Sequence, residues 1–111
     1  MPALHHLALR THDVDRLLAF YRDWFGFVVA RDMRPRSVWL ALSEGVLMIE
    51  LAEAHEPPVT RSLELVAFRV TVEERVLLRE RLGDALEAAT EHTLYFRDPD
   101  GRRVGVSSYP L

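Results

Sequence analysis

Histidines and strand carboxylates are the side chains of this sequence with the widest chemical use. His5 and His6 begin an apolar run that is typical of a strand, and Glu50 lies inside a second apolar run. An imidazole can bind a metal ion, accept a proton or donate a hydrogen bond, and a buried carboxylate needs a partner. The chain contains no cysteine, lysine, asparagine or glutamine, which excludes thiol and Schiff-base chemistry.

The composition indicates one compact domain without a charged binding surface. The chain has 111 residues, 49% of them hydrophobic, and its 14 basic and 17 acidic residues give a formal charge of −3. The sequence has no run of like charges, so we expect neither a nucleic-acid nor a membrane partner. No apolar stretch approaches the ~20 residues of a membrane span. The first residues lack a signal-peptide pattern, so we expect a cytoplasmic protein.

Two helices are predicted from caps and apolar spacing. Asp13 can cap a helix over residues 14–25, whose apolar residues recur at intervals of three and four. Thr71 and Glu74 form the pattern of a capping box, which predicts a second helix ending near Leu82.

Eight strand-like segments surround these helices in a repeated order. A proline-containing linker at 54–62 divides a first module, about 1–53, from a second, about 63–111, within one domain. Each module reads β-α-β-β-β, and a shift of 59 residues superimposes the two. The strand-like segments are 4–10, 25–32, 37–43, 45–53, 63–70, 85–89, 91–97 and 102–108.

Three motifs occur along this doubled pattern. They are His-Leu-Ala at 6–8, Phe-Tyr at 20–21 with Gly-Phe at 26–27, and Tyr-Phe-Arg-Asp-Pro-Asp-Gly at 95–101. In this order and at these distances they resemble the vicinal oxygen chelate superfamily, which includes glyoxalase I, bleomycin-resistance proteins, extradiol dioxygenases and fosfomycin-resistance enzymes. The resemblance covers essentially the whole chain.

The resemblance implies an α+β fold and a homodimer. Two tandem βαβββ modules would form a cupped eight-stranded mixed sheet with helices on its outer face. It also implies metal-ligand positions at His6, Glu50, Leu65 and Gly105, of which the last two have no donor atom. Because catalytic zinc sites commonly use three protein ligands, we expect no cofactor beyond a weakly held divalent metal ion.

Strand alternation adds further side chains to the predicted cup. Each is also explained by ordinary packing or solvent exposure, and none is identified as catalytic. The predicted ligand-binding set is His6, Trp39, Met48, Glu50, Arg69, Thr93, Tyr95 and Ser107, while Arg97 and Arg103 face the same way but flank a turn. His5 is predicted to face the helix side, and His6 to lie within hydrogen-bond reach of Glu50 or of a water shared with it.

Three functions fit these expectations. The first is metal-independent binding of a small, partly apolar ligand. The alternative is a metal-dependent lyase, dioxygenase or transferase that uses His6 and Glu50 with non-standard further ligands, as in a glyoxalase I-like or extradiol dioxygenase-like enzyme. The third is a non-catalytic subunit whose main role is to pair with another chain.

Overall fold

The computed structural model describes residues 1–59 and 62–111, and the chain divides into two compact units after Val59. Each unit contains one four-stranded mixed sheet and one α-helix in the order βαβββ, which confirms the predicted fold class and module order. The linker prediction at 54–62 includes residues 60 and 61, which lie outside the described residues. None of the helices in the described residues is both long and apolar enough to cross a membrane.

The first unit packs one helix against one face of its sheet. Its elements are β1 (His6–Thr11), α1 (Val14–Phe25), β2 (Val28–Met33), β3 (Ser37–Ala41) and β4 (Val46–Leu51), and the strand order is β1-β4-β3-β2. The predicted helix over residues 14–25 is confirmed as α1. Asp13 caps it as predicted, because its side chain accepts a hydrogen bond from the backbone N–H of Arg16. Leu17 and Tyr21 of α1 are fully buried, as are Leu40 and Leu47 of the sheet.

The second unit has the same order of elements but a less buried helix. Its elements are β5 (Leu65–Arg69), α2 (Val72–Leu82), a 3-10 turn (Gly83–Ala85), β6 (Ala88–Ala89), β7 (Thr93–Arg97) and β8 (Arg103–Ser107), with strand order β5-β8-β7-β6. Thr71 and Glu74 form the predicted capping box, and both of its hydrogen bonds are present. Only Leu82 of α2 is buried, whereas Val72, Val76 and Leu77 stay at least half exposed.

Alternation along the strands gives each sheet a helix-side face and a second face, here called the open face. In the first unit Leu7, Leu9 and Thr11 of β1 turn away from His6, Ala8 and Arg10, and the second group is exposed. The same alternation leaves Trp39 of β3 and both Met48 and Glu50 of β4 part-exposed, while the residues between and beside them, Val38, Leu40, Leu47 and Ile49, are buried. In the second unit the open-face positions of β5, β7 and β8 are residues 65, 67, 69, 93, 95, 97, 103, 105 and 107.

Candidate functional site

His6 and Glu50 lie on the same open face but far apart along it. In the parallel pairing of β1 with β4, His6 is opposite Val46 and Glu50 is opposite Arg10. Four residues of strand, about 13 Å at 3.3 Å per residue, separate the two rows. The His6 Nδ1 hydrogen-bonds to the Nδ1 of His5 at 3.0 Å, and Glu50 Oε1 lies 3.8 Å from Arg10 Nη1. The prediction of a direct hydrogen bond between His6 and Glu50 is therefore wrong, and a water shared by the two side chains stays a prediction.

His5 also differs from its prediction. β1 begins only at His6, so strand alternation does not extend to His5, and its exposed ring stands edge-on to the ring of His6 at 5.2 Å. One imidazole nitrogen of the pair must donate and the other accept. The two rings form a small polar pair at the start of the open face.

Arg10 connects this face to the segment that follows β4. Its Nε donates to Glu56 Oε2 at 3.0 Å and its Nη2 to Glu56 Oε1. The same carboxylate accepts the backbone N–H of Glu53 at 3.0 Å, and His12 Nε2 is 3.0 Å from the carbonyl oxygen of Glu56. The hydrogen bond from Arg10, followed by that from Glu53, lowers the pKa of Glu56 to about 2.

Trp39 and Met48 occupy the middle row of the first open face. They are paired in the antiparallel β3–β4 ladder and both are part-exposed. The guanidinium of Arg31 lies 5.6 Å from the centre of the Trp39 ring. The Trp39 Nε1 is buried and makes no hydrogen bond within the described residues. The row is thus an aromatic and thioether surface with one unused donor.

Arg31 was not among the predicted site residues. Simple alternation along β2 would place Ala30 beside Trp39, but the ladder shifts between Val29 and Arg31, so Arg31 pairs with Trp39. Such a bulge re-aims one side chain. The sequence carries no turn or glycine signal at this point that would have predicted it.

In the second unit the predicted residues are distributed over two rows. The β5–β8–β7 ladders place Arg69, Ser107 and Thr93 side by side, and the Thr93 and Ser107 hydroxyl oxygens are 2.8 Å apart. Tyr95 lies in the next row, with the Arg103 guanidinium 4.2 Å from its ring centre. These side chains are part-exposed except for Arg69, which is exposed. Arg69, Thr93, Tyr95 and Ser107 therefore share one face of one sheet, as alternation predicts.

Comparison with known proteins identifies the relatives of this fold. The sequence profile of the Glyoxalase/Bleomycin resistance protein/Dioxygenase superfamily matches residues 3–106. The chain belongs to this superfamily. No curated protein matches it by sequence.

Several solved structures are similar in fold to this chain over almost its whole length. Lactoylglutathione lyase from Agrobacterium tumefaciens is 25% identical, with 94% of this chain and 91% of that chain covered and a TM-score of 0.71. The fosfomycin resistance protein FosX from Listeria monocytogenes is 17% identical, with 100% and 96% covered and a TM-score of 0.80. An integron cassette protein from the Halifax Harbour sewage outfall is 18% identical, with 97% and 99% covered and a TM-score of 0.76.

The metal-ligand positions implied by the superfamily do not form a donor set within either unit. In the first unit the β1–β4 register separates His6 from Glu50. In the second unit a Cβ added at Gly105 would lie 3.2 Å from Leu65 Cδ1, so a leucine methyl fills the space above the glycine. Within the described residues of each unit, no three His, Asp or Glu side chains are grouped as metal ligands. Of the four implied positions, only His6 and Glu50 have a donor atom in the side chain, and the β1–β4 register places these two in different rows.

Proposed function

We propose that the chain binds a small, partly apolar ligand on its open faces without a metal ion of the superfamily type. The observation that carries this proposal is that the Leu65 methyl occupies the space where a Gly105 side chain would begin. Those two positions need oxygen or nitrogen donors for a metal, and they provide an apolar contact instead. Glu50 lies beside Arg10 rather than beside His6, which supports the same conclusion for the first unit.

The side chains of the first open face suit a ligand with an apolar part. Trp39 and Met48 offer adjacent aromatic and thioether surface, and part of each remains exposed. The buried Trp39 Nε1 has no acceptor within the described residues, and a ligand oxygen could supply one. His6 adds a polar group at one end of the face, and Glu50 adds one at the other.

A metal-dependent enzyme is the second candidate. It is favoured by the similarity to lactoylglutathione lyase and to FosX, one structure of which holds Mn(II). Such an enzyme would need donors besides His6 and Glu50. Without them a divalent ion would be held only weakly.

Metal analysis and a ligand screen separate the two candidates. We expect protein purified without chelators to contain no equimolar zinc, nickel, iron or manganese, and to be stabilised by some small partly apolar compounds in a thermal-shift screen. A bound compound at 100 times its Kd contributes about 2.7 kcal/mol to the free energy of unfolding. The Trp39→Ala variant should lose this response. One equivalent of tightly bound metal that disappears in His6→Ala would instead support the enzyme.

Association of two chains is a further part of the proposal. The apolar side chains of Val72, Val76 and Leu77 on α2 are exposed in the described structure, and exposed apolar surface of this kind is often covered by a partner. Light scattering at micromolar concentration should give the mass of a homodimer. A monomeric mass would contradict this part and leave ligand binding unaffected.

A further inference from the structure

We propose that the open face of the second unit binds an oxyanion, meaning a carboxylate, phosphate or phosphonate group. Arg69 and Arg103 would supply the positive charge, and the hydroxyls of Thr93 and Ser107 a further donor. The inference rests on the proposed function and deepens it, because it names the polar group that the ligand carries and the side chains that recognise it.

Positive charge predominates on this face. Its positions on β5, β7 and β8 contain three arginines and no carboxylate. Arg97 is neutralised, because its Nε and Nη2 donate to the two oxygens of Glu87 at 2.6 and 2.7 Å. Its Nη1 donates to the carbonyl oxygens of Ser62 and Gly101. Arg69 and Arg103 form no ion pair within the described residues, so both charges remain available to a ligand.

Arg103 is held in place with an unused donor. Its guanidinium stacks on Tyr95, which fixes the planar group through a cation–π contact and leaves its N–H edges unoccupied. The Arg103 Nε is buried and has no hydrogen-bond partner within the described residues. Buried donors in proteins are rarely left without an acceptor. An oxyanion on this face would provide one after a shift of the side chain that uncovers Nε, with the charge that a guanidinium prefers.

Arg69 and the two hydroxyls lie one row away from this stack. Ser107 is opposite Arg69 and Thr93 is opposite Ser107, whereas Tyr95 is two residues farther along β7 than Thr93. Two residues correspond to about 7 Å of strand. The side chains of Arg69 and Arg103 are long enough for both guanidinium groups to contact one ligand placed between the two rows.

The hydroxyl pair retains one proton for a ligand. The oxygens of Thr93 and Ser107 share a single hydrogen bond of 2.8 Å, and Ser107 Oγ also accepts the backbone N–H of Tyr109 at 3.1 Å. Whichever hydroxyl donates within the pair, the other keeps its O–H. An oxyanion above this row can therefore accept from a hydroxyl and from guanidinium groups together.

The test compares three probes that share a phenyl ring: phenylphosphonate, benzyl alcohol and benzylamine. Their binding to the full chain is measured by NMR titration. We expect phenylphosphonate to bind most tightly and its Kd to rise about tenfold or more in Arg69→Gln and in Arg103→Gln, because each removes a charge-assisted hydrogen bond. Arg79→Gln is the matched control, since it removes the same charge from the exposed side of α2 and should leave the Kd unchanged.

Arg69 is exposed, so its variant keeps the test valid if Arg103→Gln fails to fold. Equal binding of benzyl alcohol and phenylphosphonate, lost only in Trp39→Ala, would overturn the oxyanion site and leave the proposed function standing. An equal loss of phenylphosphonate binding in Arg79→Gln would overturn the site as a general charge effect. Failure of all three probes to bind would count against both proposals.

Discussion

Leu65 covers Gly105 on the open face of the second unit. A Cβ built on Gly105 would lie 3.2 Å from Leu65 Cδ1 and 3.3 Å from the carbonyl oxygen of Leu94. Both distances are shorter than ordinary van der Waals contact, and the carbonyl belongs to the backbone of β7, which has little freedom to move. A side chain at position 105, including the metal ligand that the superfamily resemblance implies, would therefore require a shift of Leu65 or of the β7 backbone.

The first prediction follows from this contact. Gly105→Ala should lower the free energy of unfolding by about 1–3 kcal/mol, the usual cost of overpacking a filled space, as measured by urea denaturation. In a Leu65→Ala background the cost should be smaller, because one of the two close contacts is removed. Equal costs in the two backgrounds would show that Leu65 does not limit the space at this position.

The second prediction concerns Asp98, whose side chain is fully buried in the turn between β7 and β8. Its Oδ1 accepts the backbone N–H groups of Asp100 and Arg102 at 2.9 and 3.0 Å, and its Oδ2 accepts from Arg102 Nη1 at 2.9 Å. Asp98→Asn should lower the free energy of unfolding by about 1–3 kcal/mol, because an amide nitrogen cannot accept one of these bonds. Asp84→Asn, the same charge change at an exposed position, should have little effect on the urea midpoint.

Local sequence signals predicted the secondary structure and the faces of the strands. The starts of the two helices were predicted from Asp13 and from the pair of Thr71 with Glu74, because capping depends on residues within one turn. Alternation placed Trp39, Thr93 and Tyr95 on open faces because strand side chains have a period of two. The turn between Arg97 and Arg103 was predicted from the local preference of Asp, Pro and Gly for turn positions, whereas the burial of Asp98 was not predicted.

Long-range pairing could not be predicted in the same way. The contact between Arg10 and Glu56 joins residues 46 positions apart, and neither residue differs in its local pattern from an ordinary exposed charge. The β1–β4 register, which separates His6 from Glu50, depends on how two distant strands align rather than on either sequence alone. The resemblance implied which positions correspond to metal ligands, but it did not predict which residues His6 and Glu50 contact.

The third prediction is a pH dependence of the contact between Arg10 and Glu56. The pKa of Glu56 is lowered to about 2 in the fold from an ordinary value of 4.5. The stabilisation is therefore fully present above about pH 5 and is lost as the pH falls from there towards 2. NMR titration of the Glu56 side chain should give a midpoint near the lowered value, and Arg10→Gln should return it towards 4.5. A midpoint near 4.5 in the unmodified chain would contradict the pairing.

The last prediction uses Trp39 as a reporter of ligand binding on the first open face. The chain has two tryptophans, Trp24 on α1 and Trp39 on β3, so Trp24→Phe leaves a single indole on that face. The Trp39 ring is part-exposed, it lies beside Met48, and its Nε1 lacks an acceptor within the described residues. A compound that covers the ring or accepts from Nε1 changes the polarity around the indole. Compounds that raise the melting temperature should therefore shift the emission of Trp24→Phe, with an apparent Kd equal to the one from thermal shift.

Trp39→Phe keeps an aromatic ring but loses the N–H, so its binding should weaken by about 0.5–1.5 kcal/mol if Nε1 donates to the ligand. Stabilising compounds that leave the emission of Trp24→Phe unchanged would place their binding elsewhere.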